Sequence, residues 1–170
     1  MGDVFKEQLV KSKPSSKDKL QKVLVIVGAI LVSTLAFMFG GAMFGPIIVV
    51  AVVWGAMYFS AFFKKEYEYS LTNNELDIDV IYNKQRRKRL ISIDMKQINV
   101  MASIKDEKYA HEIARGQKVL EASDGDGKPN TYAIVYGHNG QTLKILVTTN
   151  EEMLNLLQRQ APNKVHKCRY

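Results

Sequence analysis

Between Val23 and Phe63 the chain carries no charged side chain over 41 positions. No other feature constrains the fold as strongly. A run of that length cannot form the core of a small soluble domain. One bilayer crossing needs about 20 apolar residues, so the run has length for two. The stretches "KVLVIVGAILVSTLAFMF" and "PIIVVAVVWGAMYFSAFF" predict spans over about 23–39 and 47–63, and the Gly-rich "GGAMFG" between them predicts a tight turn. Val23 to Phe39 holds eleven Val, Leu, Ile or Phe residues, which outweigh Ser33, Thr34 and the glycines. A cleaved signal peptide fits poorly, because the basic leader is long and a second apolar segment follows at once.

Charge is distributed around this run in a way that predicts orientation. Residues 1–22 carry six Lys against three acids, and residues 64–170 carry 18 Lys or Arg against 14 acids. Lys19 and Lys22 precede the apolar run, Lys64 and Lys65 follow it, and the central turn is uncharged. The positive-inside rule therefore predicts a cell-membrane protein with both termini in the cytoplasm, these four Lys acting as flanking anchors. The single Cys168 can form no intrachain disulfide, in keeping with a reducing compartment. Small residues four apart, Ala51 with Gly55 and Ala56 with Ser60, allow close helix approach within the hairpin or across a homodimer. Gly41 and Gly45 repeat the spacing but fall in the predicted turn. The absence of ionisable residues within the spans argues against an ion pathway or transport site.

Beyond residue 64 the periodicity changes to two. "EYEYSLT" and "ELDIDVIY" alternate apolar and polar residues and predict half-buried strands joined at Asn73–Asn74. "RRKRLISID", "QINVMA", "QKVLEAS", "TYAIVYG" and "QTLKILVTT" predict further strands, with "KDEKYAHEIAR" as a short helix ending at Gly116 and a turn at His138–Asn139–Gly140. The segment "TNEEMLNLLQRQAP" predicts a C-terminal helix, with Thr149 and Glu152 as a capping box and Pro162 as its stop. About seven antiparallel strands closed by one amphipathic helix predict a small barrel or sandwich.

The element order, with "YEYSLTNNELDIDVIYNKQRRKRLISIDMKQI", resembles bacterial pleckstrin-homology-like (PH-like) domains attached to transmembrane hairpins. The whole chain is also similar to a family of small two-span membrane proteins from Gram-positive anaerobes. The resemblance implies a transmembrane α-helical hairpin plus a mainly-β (α+β) PH-like cytoplasmic domain, and it brings no catalytic residues. The expected organisation is a basic leader over 1–22, the hairpin over 23–63 and the domain over 64–170. The segment 105–116 is extra to the simplest seven-strand plan.

Chemical motifs are few. "HEIAR" at 111–115 begins like a zinc-protease HExxH, but Arg115 stands where the second His ligand belongs. "DGDGKPN" fails as a calcium loop, offering Lys128, Pro129 and Val135 at key positions. Lys6 departs from a myristoylation signal. The expectation is a non-enzymatic chain with no cofactor and no metal. The candidate contact residues are Lys84, Arg86, Arg87, Lys88 and Arg89. A two-residue turn at Lys84–Gln85 gives pairs whose numbers sum to 169, putting Arg87 and Arg89 beside Tyr82 and Val80 on the apolar face. A one-residue slip sets Asp79 opposite Arg89 but exposes isoleucines, so the first register is preferred. A strand leaving the membrane and its antiparallel neighbour would return this tip to anionic headgroups. An orientation signal with a solvated strand end is the plainer reading. Near-balanced charge and the lack of an accompanying motif leave no nucleic-acid partner expected. The expected partners are the bilayer, its anionic headgroups, or a membrane protein of which this chain is an accessory subunit.

Overall fold

The computed structural model describes residues 5–61, 63–125, 127, 130–138 and 140–167, with His138 described by its backbone alone. The chain forms two compact units, residues 1–13 with 66–170, and residues 14–65. Asn139 of the predicted 138–140 turn, Lys128 and Pro129 of the rejected calcium loop, and Cys168 lie outside the described residues.

The first unit contains two four-stranded sheets. Sheet A has the order β1 (Phe5–Lys11), β2 (Lys65–Thr72), β3 (Glu75–Tyr82), β4 (Arg86–Asp94). Sheet B has the order β5 (Ile98–Ser103), β7 (Thr131–His138), β8 (Gln141–Thr148), β6 (Lys118–Ala122). The period-two segments thus fold as strands, and Asn73 takes the positive φ of 53° that its turn demands. Two features depart from expectation. Part of the leader is itself a strand, β1, paired antiparallel with β2 from Phe5↔Thr72 to Lys11↔Glu66. The set is also not wholly antiparallel, because β6 runs parallel to β8. The chain crosses from one edge of sheet B to the other between β5 and β6, then passes through β7 before β8, so β6 and β8 share a direction.

Inward side chains of the two sheets meet in one core. Tyr69, Leu71, Leu76, Ile78 and Ile93 of sheet A pack with Met101, Ile134 and Ile145 of sheet B, and all are at most 1% exposed. Helix α3 (Glu151–Gln160) closes this core with Met153, Leu154 and Leu157. Its cap is Asn150, whose side chain accepts from the Met153 N–H at 2.8 Å, and not Thr149. Thr149 is buried instead, so its hydroxyl is withdrawn from the helix end. Tyr69 ties the sheets together, donating to the Ala122 carbonyl at 2.5 Å and accepting from the Thr148 N–H at 3.1 Å.

The extra segment has a packing role. A 3-10 turn, Glu107–Tyr109, and helix α2, Ala110–Ile113, place Ile113 against Val100, Ala102, Ala133 and Val135. Sheet B is apolar on both faces, and this segment covers the one turned away from sheet A. His111 is exposed on α2. Glycine is required at 116, because a Cβ there would collide with the Lys144 side chain and sit 3.1 Å from its Cα.

The second unit is helix α1, Ser16–Ala61, broken at Gly41, whose φ is 61° and ψ −167°. Pro46 lies inside the helix, five residues beyond the break. The helix doubles back at this point. Eight residues along a straight helix advance about 12 Å, yet a Cβ on Gly45 would lie 3.3 Å from the Phe37 Cα. Asp18 and Lys65, 47 residues apart, form an ion pair at 2.9 Å. The break is narrower than the six-residue turn predicted from "GGAMFG". Of the small-residue pairs, Ala56, Ser60 and Gly55 sit on the half-buried side of their arm and Ala51 on the exposed side.

Candidate functional site

The basic run forms the β3–β4 turn and the first half of β4. Its register combines both alternatives weighed from the sequence. Glu75↔Asp94, Leu76↔Ile93, Asp77↔Ser92 and Ile78↔Ile91 follow the preferred register. A bulge between Ile78 and Asp79 then shifts the pairing to Asp79↔Arg89, Val80↔Lys88, Ile81↔Arg87 and Tyr82↔Arg86. The extra residue is Leu90, and the turn lengthens to Asn83–Gln85, with Asn83 and Lys84 at φ 49° and 56°. The physical reason is that one bulge satisfies two demands that a single register cannot. The isoleucines stay in the core, and the arginines reach carboxylates.

This corrects the expected placement of Arg87 and Arg89. They lie on the outer face of sheet A, and Arg86 and Lys88 take the positions beside Tyr82 and Val80. Arg87 pairs with Glu68 on β2 and, at 3.1 Å, with Asp79. Arg89 pairs with Asp77 at 2.9 Å and Asp79 at 3.0 Å. Asp79 is 6% exposed and serves both guanidiniums. The hydrogen bond to Asp79 holds the Arg89 guanidinium above its ordinary pKa, with Asp77 adding to the effect. Sequence reasoning missed Glu68 and Asp77 as partners, and it set aside the register that brings Asp79 to Arg89. Their signal was the acid at alternate positions of "EYEY" and "ELDIDV", which marks one face of two adjacent strands.

Of the five candidates, Lys84 and Lys88 are exposed and carry no ion pair among the described residues, and Arg86 is exposed at the end of β4. The tip lies at the end of sheet A where β1 finishes and β2 begins, since Arg87 reaches Glu68 near the start of β2. The four flanking Lys divide differently. Lys65 is held by Asp18, and Lys22 and Lys64 line one cleft between the arms of α1. Lys19 is exposed on the first arm.

The first unit thus combines two four-stranded sheets, one with a parallel pair, a C-terminal helix seated in their core and a basic hairpin tip. A family model, Bacterial PH-like domain (DUF6106), matches residues 2–167. The chain belongs to this bacterial PH-like family. The matched range includes α1. No curated protein and no solved structure matches the chain. By length and composition α1 is long and apolar enough to cross a membrane. Leu24, Leu31, Phe37, Phe44, Trp54 and Phe59 are among its exposed side chains, a surface that water disfavours.

Proposed function

We propose that this PH-like protein is a non-enzymatic, two-span cell-membrane protein that holds its domain against the cytoplasmic face, where the β3–β4 tip contacts anionic headgroups. The observation carrying this reading is the pairing Lys11↔Glu66. The chain leaves sheet A and returns to it at adjacent positions, so the segment between must start and finish on one side of a membrane. A single crossing is incompatible with that pairing, and two crossings by the arms on either side of Gly41 satisfy it. The uncharged break and the Lys at the helix ends support a cytoplasmic domain.

For the tip, Lys84 and Lys88 are the residues on which lipid contact depends most, because Arg87 and Arg89 already share carboxylates. Two interfacial cations at about 1 kcal/mol each correspond to roughly 30-fold in affinity. Flotation of a domain lacking α1 with phosphatidylglycerol vesicles tests this. K84E/K88E should lower binding by that order and flatten its salt dependence, and wild-type indifference to phosphatidylglycerol would end the lipid reading. Labelling of single cysteines placed at Ala42 and Lys105 in intact cells tests topology, with only position 42 expected to react from outside. Protein contact is a second reading, favoured by Phe5 and Leu9, 63% and 54% exposed on edge strand β1. Crosslinking in native membranes would then recover one partner of defined stoichiometry.

A further inference from the structure

The two arms of α1 touch at the break, and the Asp18–Lys65 ion pair joins the chain again beyond their far ends. Near the break, a Cβ on Gly40 would lie 2.9 Å from the Gly45 nitrogen. Further along, Gly28 and Gly55 have nothing within 4 Å of where a Cβ would stand, although both sit on half-buried sides of their arms. Between those two contacts the arms leave a groove, a wedge-like cleft of about 680 Å³ whose lining includes Ala29, Ser33, Val53 and Ala56. Lys22 and Lys64 line its end remote from the break. Asp18 is the sole acid between residues 14 and 65, and Lys65 neutralises it at 2.9 Å. The mouth of the wedge is therefore cationic and its interior apolar. From Lys22 to Thr34, the extent of the lining on the first arm, the helix rises about 18 Å. Half of a hydrocarbon core is about 15 Å.

We propose that this wedge binds one acyl chain of an anionic phospholipid, with its headgroup held by Lys22 and Lys64. Charge at the mouth selects the headgroup, and length and polarity match one leaflet. Basic pockets between membrane helices bind anionic headgroups on the same principle. The inference rests on the two-span reading and adds a specific site to it, separate from the β3–β4 tip.

Native mass spectrometry of the full-length chain, released from mixed phosphatidylglycerol and phosphatidylcholine bilayers, tests it. One phosphatidylglycerol per chain is expected to be retained over phosphatidylcholine. K22Q/K64Q should cut that preference by roughly 30-fold, as for two interfacial cations. A29L/A56L, which fills the wedge and keeps both Lys, should abolish retention, and A56L alone, the milder filling, should weaken it while leaving the melting transition in place. Equal retention of the two lipids, retention unaffected by filling, or a protein chain occupying the cleft would each overturn the proposal. Alkaline extraction separates the two levels of failure. A chain that leaves the membrane refutes the two-span reading and this inference together, whereas an embedded chain that retains no lipid refutes this inference alone.

Discussion

Adjacent substitutions at Leu9 and Val10 distinguish a strand from a leader. Val10 is 7% exposed and faces Tyr67 across the β1–β2 ladder, whereas Leu9 is 54% exposed on the opposite face. Val10→Asn removes a buried side chain worth about 1.5–3 kcal/mol. It also buries an amide without a partner, at about 1–3 kcal/mol. The sum is roughly 3–6 kcal/mol. Leu9→Asn should stay within about ±0.5 kcal/mol. The assay is urea unfolding of a chain in which residues 14–65 are replaced by a hairpin loop of about two to five residues. That replacement keeps the Lys13 N–H bond to the Asp124 carbonyl at 2.9 Å. The chain should fold without the helix, because the Lys11 and Glu66 ends already meet. Each kcal/mol shifts the melting temperature by about 4–8 °C in a 60–100-residue domain and about 2–4 °C in one of 150–250 residues, so V10N in this chain of about 120 residues should fall by roughly 10 °C or more. Equal effects at positions 9 and 10 would refute the strand assignment. Equal stability of residues 66–170 alone would show that β1 contributes nothing to the domain.

Tyr69→Phe leaves the Ala122 carbonyl and Thr148 N–H without their partner and should cost about 1–3 kcal/mol in chemical unfolding. Burial raises the Tyr69 phenol well above its ordinary pKa of 10.0. The stabilisation is therefore fully present below pH 10 and is lost as pH rises from there towards the folded-state pKa, because the unfolded chain ionises first. The alkaline fall in stability should be shallower in Y69F than in wild type, and parallel curves would contradict this. Gly116→Ala should destabilise the β6–β8 edge measurably by the same assay, as its Cβ meets Lys144. Asn150→Ala removes the α3 cap and should cost about 1 kcal/mol, and Thr149→Ala should cost less.

The amino-acid sequence by itself determined the local order of this protein. An uncharged 41-residue run leaves the backbone no option but helix if it meets lipid. Period-two segments such as "ELDIDVIY" and "TYAIVYG" leave few options but strands, because each has one apolar side. The basic run could be located, and its core register at Leu76↔Ile93 and Ile78↔Ile91 was legible from the isoleucines. Tertiary structure decided what those elements meet. Phe5–Lys11 has two-faced polarity too weak to declare a strand, and becomes one because β2 offers an open edge on which Val10 is buried. The bulge at Leu90 depends on Glu68, Asp77 and Asp79 converging from two other strands, a coincidence in space that no spacing along β4 encodes. It divides the clustered cations, with Arg87 and Arg89 bound into a carboxylate network and Lys84 and Lys88 left exposed. Helix α1 similarly has its length and polarity written in the sequence, whereas the wedge between its arms exists only because a break at Gly41 brings Lys22 and Lys64, 42 residues apart, to the mouth of one cleft.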